Sequence, residues 1–113
     1  ETIAAINEFI DANIEDCDMS PEVIAEHFQW SLRNVYRKFK DLGLPSPNDH
    51  IKNRKISLAA KLLVTTSLTV QEIIFRSGFS NRSHFYREFD KRFGTTPKDY
   101  RNANRVKDRS LSE

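Results

Sequence analysis

The chain repeats one pattern of residues at a distance of about fifty positions. Residues 35–39 read Val-Tyr-Arg-Lys-Phe, and residues 85–89 read Phe-Tyr-Arg-Glu-Phe. Two further pairs align, Ser46-Pro47 with Thr96-Pro97 at an offset of 50 and Trp30-Ser31 with Phe79-Ser80 at an offset of 49. The change of offset places one additional residue near the turn of the second copy. An ordered set of matches of this kind predicts two similar structural units in tandem.

The residue pattern predicts helices throughout. Only three glycines and four prolines occur among 113 residues, and runs of alternating β-branched residues are missing. Helix starts are indicated at Ser20-Pro21, Ser31 and Thr69, because Ser and Thr accept hydrogen bonds from the free N–H groups of a first helical turn and Pro favours its first position. We expect an all-α fold of about seven helices, over residues 2–15, 21–28, 32–42, 47–64, 70–76, 82–93 and 97–102, with Ser80 or Asn81 capping the sixth.

We expect two small subdomains joined by a long linker helix. The predicted bounds are 1–46 for the first helix-turn-helix subdomain, 47–66 for the linker helix, 67–104 for the second helix-turn-helix subdomain and 105–113 for a polar tail. Each set of three helices is too small to be stable alone. The linker helix is therefore expected to offer a hydrophobic face to both.

Within each repeat, a short helix, a tight turn and a longer helix follow in order. This is the order of a helix-turn-helix, whose second helix can enter the major groove of DNA. The expected buried stripes are Val35, Phe39 and Leu42 in residues 32–42, and Phe85, Phe89 and Phe93 in residues 82–93. The expected polar faces hold Arg33, Asn34, Arg37, Lys38 and Lys40 in the first helix, and Arg82, Ser83, Tyr86 and Arg87 in the second.

Charge is distributed unevenly along the chain. Residues 1–32 contain eight acidic and no basic residues, whereas residues 33–113 contain eighteen basic and eight acidic residues. This polarity fits a molecule of which one side faces a polyanion, and it equally fits a solvated charged surface. Because two helices related by the repeat both present arginines, DNA binding is favoured over a merely solvated surface.

The residue types also suit particular DNA contacts. An arginine fork pairs bidentately with guanine, and Ser or Asn at a helix N-terminus suits phosphates. Tyr36 and Tyr86 lie at the edge of the buried stripes, where either packing or DNA contact would fit. Trp30 and Phe79 are predicted to fill the core at the two turns.

The most specific motif lies in the second half of the chain. It comprises Ile73, Gly78-Phe79-Ser80, Phe85-Tyr86-Arg87-Glu88-Phe89, Phe93-Gly94-Thr95-Thr96-Pro97 and Tyr100-Arg101. This segment resembles the signature of the DNA-binding domain of the AraC/XylS family of bacterial transcription regulators. In that signature a Gly-Phe turn leads to a Phe-x-Arg-x-Phe helix, and a Gly-x-Thr-Pro-x-x-Tyr-Arg segment ends the motif. The resemblance covers about residues 3–102.

The resemblance implies sequence-specific binding of double-stranded DNA in transcription regulation. The recognition helices, residues 32–42 and 82–93, would enter successive major grooves. The implied base-contacting residues are Arg33, Tyr36, Arg37, Arg82, Ser83, Tyr86 and Arg87. We expect phosphate contacts from Ser31, Asn34, Lys38, Lys40, Ser80, Asn81 and His84. Such a module is usually joined to a sensor, receiver or dimerisation region, and we expect one before Glu1 in a larger, signal-responsive regulator.

Four positions depart from the family pattern. Gln29 stands where the first turn usually has Gly, and Ile74 stands where the second unit usually has Ala. Both are expected to shift local packing and to leave the first turn less tight. Leu44-Pro45 replaces the usual Gly-Leu before Ser46-Pro47, and Lys55 replaces the usual Arg of the linker helix.

Other classes of function find little support. The sequence has no Gly-rich phosphate loop, and His27, His50 and His84 are scattered without a second ligand at metal spacing. We expect no catalytic, cofactor or metal site, and His50, which aligns with Tyr100, is predicted to be a packing residue. The single cysteine, Cys17, is predicted to be an exposed loop thiol and fits the cytoplasm. No apolar run reaches the ~20 residues of a membrane span, so no membrane contact is expected.

A protein-interaction module with a helix-turn-helix fold that does not bind DNA is the second hypothesis. The acidic residues 1–29 would support it on one face, and a contact with RNA polymerase is also expected there. The basic faces discriminate between the two, because only DNA binding requires them.

Overall fold

The computed structural model describes the backbone of residues 2–15 and 18–111 and the side chains up to residue 104. Within these residues the regular structure is helical throughout, as predicted. The helices are α1 (Thr2–Ala12), α2 (Pro21–Phe28), α3 (Leu32–Asp41), α4 (Pro47–Thr65), α5 (Val70–Arg76), α6 (Arg82–Phe93) and α7 (Pro97–Leu111). Cys17 lies outside the described residues.

Two helix ends differ from the prediction by more than one residue. Helix α1 ends at Ala12, because the N–H groups of Asn13 and Ile14 bond to carbonyls three residues earlier and close a tighter turn. Helix α7 continues to Leu111 instead of ending near Asn102. Neither Gly nor Pro follows Pro97 in this stretch, so the sequence provides no residue that stops the helix.

Side-chain caps start the helices where the sequence predicts them. The Oγ atoms of Ser20 and Ser31 accept from backbone N–H groups of the first turn, and Asn81, not Ser80, caps α6. Thr69 and Glu72 form a reciprocal capping box at the start of α5. The hydrogen bonds from Thr69 hold the pKa of the Glu72 carboxyl below its usual value. The short helix α5 therefore has a fixed first turn.

The chain divides into two compact units, Glu1–Lys55 and Ile56–Glu113, which we call unit 1 and unit 2. Helix α4 spans the division, so its first part belongs to unit 1 and its second part to unit 2. The buried apolar residues of α4 include Ile51 in unit 1 and Ile56, Ala59, Ala60 and Leu63 in unit 2.

In unit 1, α4 is tied to the preceding helices by polar contacts. The buried His50 ring lies edge-to-face on Phe39, and its Nε2 is 2.7 Å from the Oδ1 of Asn7. The Arg54 guanidinium pairs with the Asp11 carboxylate, with its Nε donating at 3.0 Å. Burial lowers the pKa of His50; the neighbouring Arg54 lowers it further, and Asp11 opposes the shift. The prediction that His50 is a packing residue is confirmed.

In unit 2, a single hydrophobic cluster holds α4, α5 and α6 together. Its fully buried members include Leu63, Ile73, Phe85 and Phe89. The guanidinium of Arg101 donates to the carbonyl oxygens of three residues at the end of α4 and beyond it: Leu63 at 2.8 Å, Thr66 at 3.2 Å and Leu68 at 2.7 Å. Arg101 thus satisfies the Leu63 carbonyl in the last turn of α4 and two carbonyls of the segment that follows the helix.

Candidate nucleic-acid interface

The two helix-turn-helix turns have the same hydrogen bonds. The Trp30 N–H donates to the Ala25 carbonyl at 2.9 Å, and the Phe79 N–H donates to the Ile74 carbonyl at 3.1 Å. Gln29 adopts the left-handed conformation, with φ 61° and ψ 40°, and closes the first turn. The expectation that the first turn is less tight is therefore wrong. Ile74 also fits the fold, because it is buried in the core of unit 2.

Helix α3 has a buried stripe and an exposed basic face. Val35 and Phe39 are fully buried, which fixes the orientation of the helix on unit 1. The exposed face holds Arg33, Tyr36, Arg37 and Lys40. Tyr36 is 44% exposed. The side chains predicted to contact bases in unit 1 thus lie together on one accessible surface, with Lys40 beside them.

Trp30, predicted to fill the core at the first turn, is only half-buried and belongs to a row of aromatic rings. Its ring stacks on Phe28 with centroids 4.7 Å apart, and Phe28 meets Phe9 edge-to-face at 5.9 Å. The Lys38 ammonium lies 4.9 Å from the Trp30 ring centroid. This cation–π contact holds Lys38 toward the turn, away from the centre of the arginine face.

Helix α6 repeats this arrangement with less positive charge. Phe85 and Phe89 are fully buried, whereas Ser83 and Arg87 are exposed. Two acidic residues, Glu88 and Asp90, occur where α3 has Lys38 and Lys40 at the offset of 50. The alignment of the two repeats already indicates this difference in charge. Asp90 was, however, not among the residues expected on the polar face of α6.

Arg82 is held by neighbours from both helices of the second helix-turn-helix. Its Nη1 donates to the Oε1 of Gln71 on α5 at 2.6 Å, and its Nη2 lies 3.4 Å from the Tyr86 hydroxyl. The guanidinium carbon is 5.2 Å from the Tyr86 ring centroid. Tyr86 itself is partly buried against the core of unit 2. The sequence-based prediction found Arg82 and Tyr86 but missed Gln71.

Most of the side chains predicted to contact phosphates lie near the starts of α3 and α6, whereas Lys38 and Lys40 lie in the last turn of α3. Ser31 Oγ accepts from the Asn34 N–H at 3.1 Å, and Asn81 Oδ1 accepts from the His84 N–H at 2.8 Å. Ser80 is exposed beside Asn81. The His84 Nε2 lies 3.7 Å from a carboxylate oxygen of Glu88. His84 is therefore directed toward an acidic neighbour on its own helix.

Among the described residues, no group of three or more His, Cys, Asp or Glu side chains could hold a metal ion. No helix within the same described stretches is both long and apolar enough to cross a membrane.

Two helix-turn-helix motifs, each with a buried stripe and a basic outer face on its second helix, define the class of tandem helix-turn-helix domains. The helix-turn-helix domain family matches residues 24–103. The chain belongs to this family, in its AraC-type branch of transcription-regulator DNA-binding domains, which are not enzymes.

Individual relatives agree with this assignment. The F1 operon positive regulatory protein of Yersinia pestis is 34% identical over 101 residues, which are 88% of this chain and 33% of that protein. The C-terminal domain of the two-component response regulator yesN of Fusobacterium nucleatum is 29% identical, with a TM-score of 0.79 over 88% of this chain and 97% of that one.

The fold is also that of the DNA-binding domain of AdpA, a global transcriptional factor solved in complex with a target DNA. The TM-score is 0.83 at 24% identity, over 92% of this chain and 93% of that one. The chain spans about a third of the length of the curated relatives it matches.

Proposed function

We propose that the chain is the sequence-specific DNA-binding module of a bacterial transcription regulator, with α3 and α6 as recognition helices in successive major grooves. The observation that supports this proposal is the two-sided construction of both helices. In α3 and in α6 a buried stripe fixes the helix on its unit, and the opposite side presents arginine to solvent. A helix of this kind can dock in the major groove without disturbing its own core.

Base reading is assigned to the exposed faces. Arg37 and Arg87 occupy equivalent positions of the repeat, and both are exposed on the side opposite the buried stripes. An arginine at such a position can pair bidentately with the O6 and N7 atoms of guanine. The full proposed set of base-contacting residues is Arg33, Tyr36 and Arg37 in α3, and Arg82, Ser83, Tyr86 and Arg87 in α6.

Phosphate binding is assigned to residues around the starts of α3 and α6 and to Lys38 and Lys40 in the last turn of α3. The caps are compatible with this assignment. The Ser31 oxygen accepts the helix N–H, which leaves its hydroxyl hydrogen to donate to a phosphate oxygen. Asn81 uses its carbonyl oxygen in the cap, and its amide NH₂ group remains a donor. The full proposed set is Ser31, Asn34, Lys38, Lys40, Ser80, Asn81 and His84.

The two units are proposed to contribute unequally to affinity. Helix α3 has four basic residues and one acidic residue, whereas α6 has four basic residues and two acidic ones. Phosphate attraction depends on the local charge. Helix α3 therefore supplies more of the electrostatic attraction than α6 does, because Glu88 and Asp90 reduce the contribution of α6.

The experiment that tests the proposal replaces one arginine in each recognition helix. Arg37→Ala and Arg87→Ala should each weaken binding to a selected site by about 1–3 kcal/mol and relax preference at a different base pair. Lys61→Ala is the matched control, because it removes an exposed charge outside both recognition helices. If neither arginine variant changes binding to any DNA, the domain acts instead as a protein-interaction module.

A protein contact is proposed in addition for the acidic surface of unit 1. Exposed acidic side chains occur along α1, α2 and the segment between them, and they are Glu8, Asp11, Glu15, Asp18, Glu22 and Glu26. RNA polymerase is the partner we propose for this surface. We also propose that the remainder of the regulator is a sensor, receiver or dimerisation region. The regulator would act in the cytoplasm, where the chromosome lies. The double variant Glu22→Gln and Glu26→Gln should not weaken DNA binding but should lower transcription activation in a purified system. Equal activation by the variant and the wild type would refute this contact.

A further inference from the structure

Gln71, Arg82 and Tyr86 form a polar connection across the second helix-turn-helix. The Gln71 oxygen, on the helix that precedes the turn, accepts from Arg82 at 2.6 Å. Arg82 in turn lies over the Tyr86 ring and within 3.4 Å of its hydroxyl. The guanidinium is thus held by one residue of α5 and one residue of α6.

The repeat provides an internal comparison for this connection. At the equivalent positions unit 1 has Glu22, at an offset of 49, and Leu32, at an offset of 50. Leu32 has no polar side-chain atom, so the connection has no counterpart in unit 1. Tyr36 is accordingly exposed, whereas Tyr86 is partly buried. The polar connection is therefore particular to the second recognition helix.

Holding an arginine in one position has a consequence for recognition. A long, flexible side chain loses rotamer entropy when a ligand fixes it, and a side chain that is already fixed loses less. Arg82 has five N–H donors, so donors remain for a base after Gln71 and Tyr86 have each taken one. The direction of the remaining donors is set by the two partners.

We propose that Gln71 is a positioning residue that fixes Arg82 over Tyr86 and thereby sets the base preference of α6. The proposal rests on the proposed function, since it requires that Arg82 faces DNA. Gln71 acts through Arg82 and makes no base contact of its own. Its loss changes which base is preferred near Arg82, while the charge that attracts phosphates stays the same.

The test uses the whole chain and the duplex that the wild-type chain selects from a random DNA pool, together with every single-base-pair variant of that duplex. Gln71→Met keeps the size of the side chain and removes the acceptor oxygen. Gln71→Glu keeps an acceptor, and Glu22→Met is the matched control at the equivalent position of unit 1. Thermal unfolding of each variant establishes that the fold is retained.

We expect Gln71→Met to lower discrimination at one or two base pairs of the second half-site by about five- to tenfold, at the lower end of the range of one bidentate base contact. The salt dependence of binding should not change, because no charge is removed. Gln71→Glu should retain the wild-type preference, and Glu22→Met should leave the second half-site unaffected. In an Arg82→Ala background, Gln71→Met should have no further effect.

Two results would overturn the proposal. A Gln71→Met profile identical to that of the wild type would show that Arg82 needs no positioning. Additive effects of Gln71→Met and Arg82→Ala would show that Gln71 contacts DNA directly. The proposed function fails separately, and only if Arg37→Ala and Arg87→Ala also leave DNA binding unchanged.

Discussion

Gln29 takes, in the first helix-turn-helix turn, the left-handed backbone conformation that Gly78 takes in the second. The φ angles are 61° and 86°. A residue with a Cβ atom is disfavoured in this region by roughly 1–2 kcal/mol, whereas Gly is not. The hydrogen bonds that follow, from Trp30 and Phe79, hold both turns in the same geometry. Unit 1 therefore keeps the turn at some cost in stability.

Gln29→Gly should raise the free energy of unfolding of unit 1 by roughly 0.5–1 kcal/mol, because relief of the left-handed strain exceeds the greater chain entropy of Gly in the unfolded state. Denaturant unfolding followed by Trp30 fluorescence measures this, since the chain has one tryptophan and it lies in unit 1. Gly78→Ala is the reciprocal variant and should destabilise unit 2. A loss of stability in Gln29→Gly would contradict the strain argument.

Removal of Arg101 should destabilise unit 2. Arg101→Ala leaves the carbonyls of Leu63, Thr66 and Leu68 without their shared donor, and we expect a loss of about 2–3 kcal/mol, the order of a charge-assisted hydrogen-bond group. Arg101→Lys should restore only part of it, because one ammonium cannot span all three oxygens. Thermal unfolding by circular dichroism provides the measurement. Full stability of the Arg101→Lys variant would show that Arg101 acts through its charge alone.

Unit 1 should lose stability as the pH falls below neutrality. The pKa of His50 is lowered in the folded chain, chiefly by burial, so the unfolded chain takes up a proton at a higher pH than the folded chain does. The stabilisation is complete above the ordinary value of about 6.5 and is lost as the pH falls toward the lowered pKa. Asn7, Phe39, Arg54 and Asp11 are the groups described around the ring.

The measurement is the unfolding midpoint of unit 1 between pH 7.5 and about pH 5.5, where carboxylates stay ionised. His50→Gln should flatten this dependence, and His84→Gln, in unit 2, should leave it unchanged. An equal acid sensitivity of the wild type and His50→Gln would mean that another group is responsible.

Local signals in the sequence predicted most of the fold. Ser20, Ser31 and Thr69 mark helix starts because capping depends on a few neighbouring residues. The spacing of Val35 and Phe39 predicted the buried side of α3, because helical periodicity is also a local property of the sequence. The exposed arginines lie on the other side of the same helix. The family motif supplied the function.

The connections between helices could not be predicted in this way. The bond from Arg82 to Gln71 and the bonds from Arg101 to the end of α4 join residues that are distant in sequence. Their partners depend on how the helices pack, which helical spacing does not specify. The length of α7 was missed because the polar composition beyond Asn102 gave no apolar stripe to follow.

The most direct test of the central claim is selection of binding sites from a random DNA pool with this chain. We expect two half-motifs whose centres lie about one helical turn apart. Arg37→Ala should lose preference in one half-motif and Arg87→Ala in the other. Enrichment of a single half-motif, or the same lost preference in both variants, would contradict recognition by both helices.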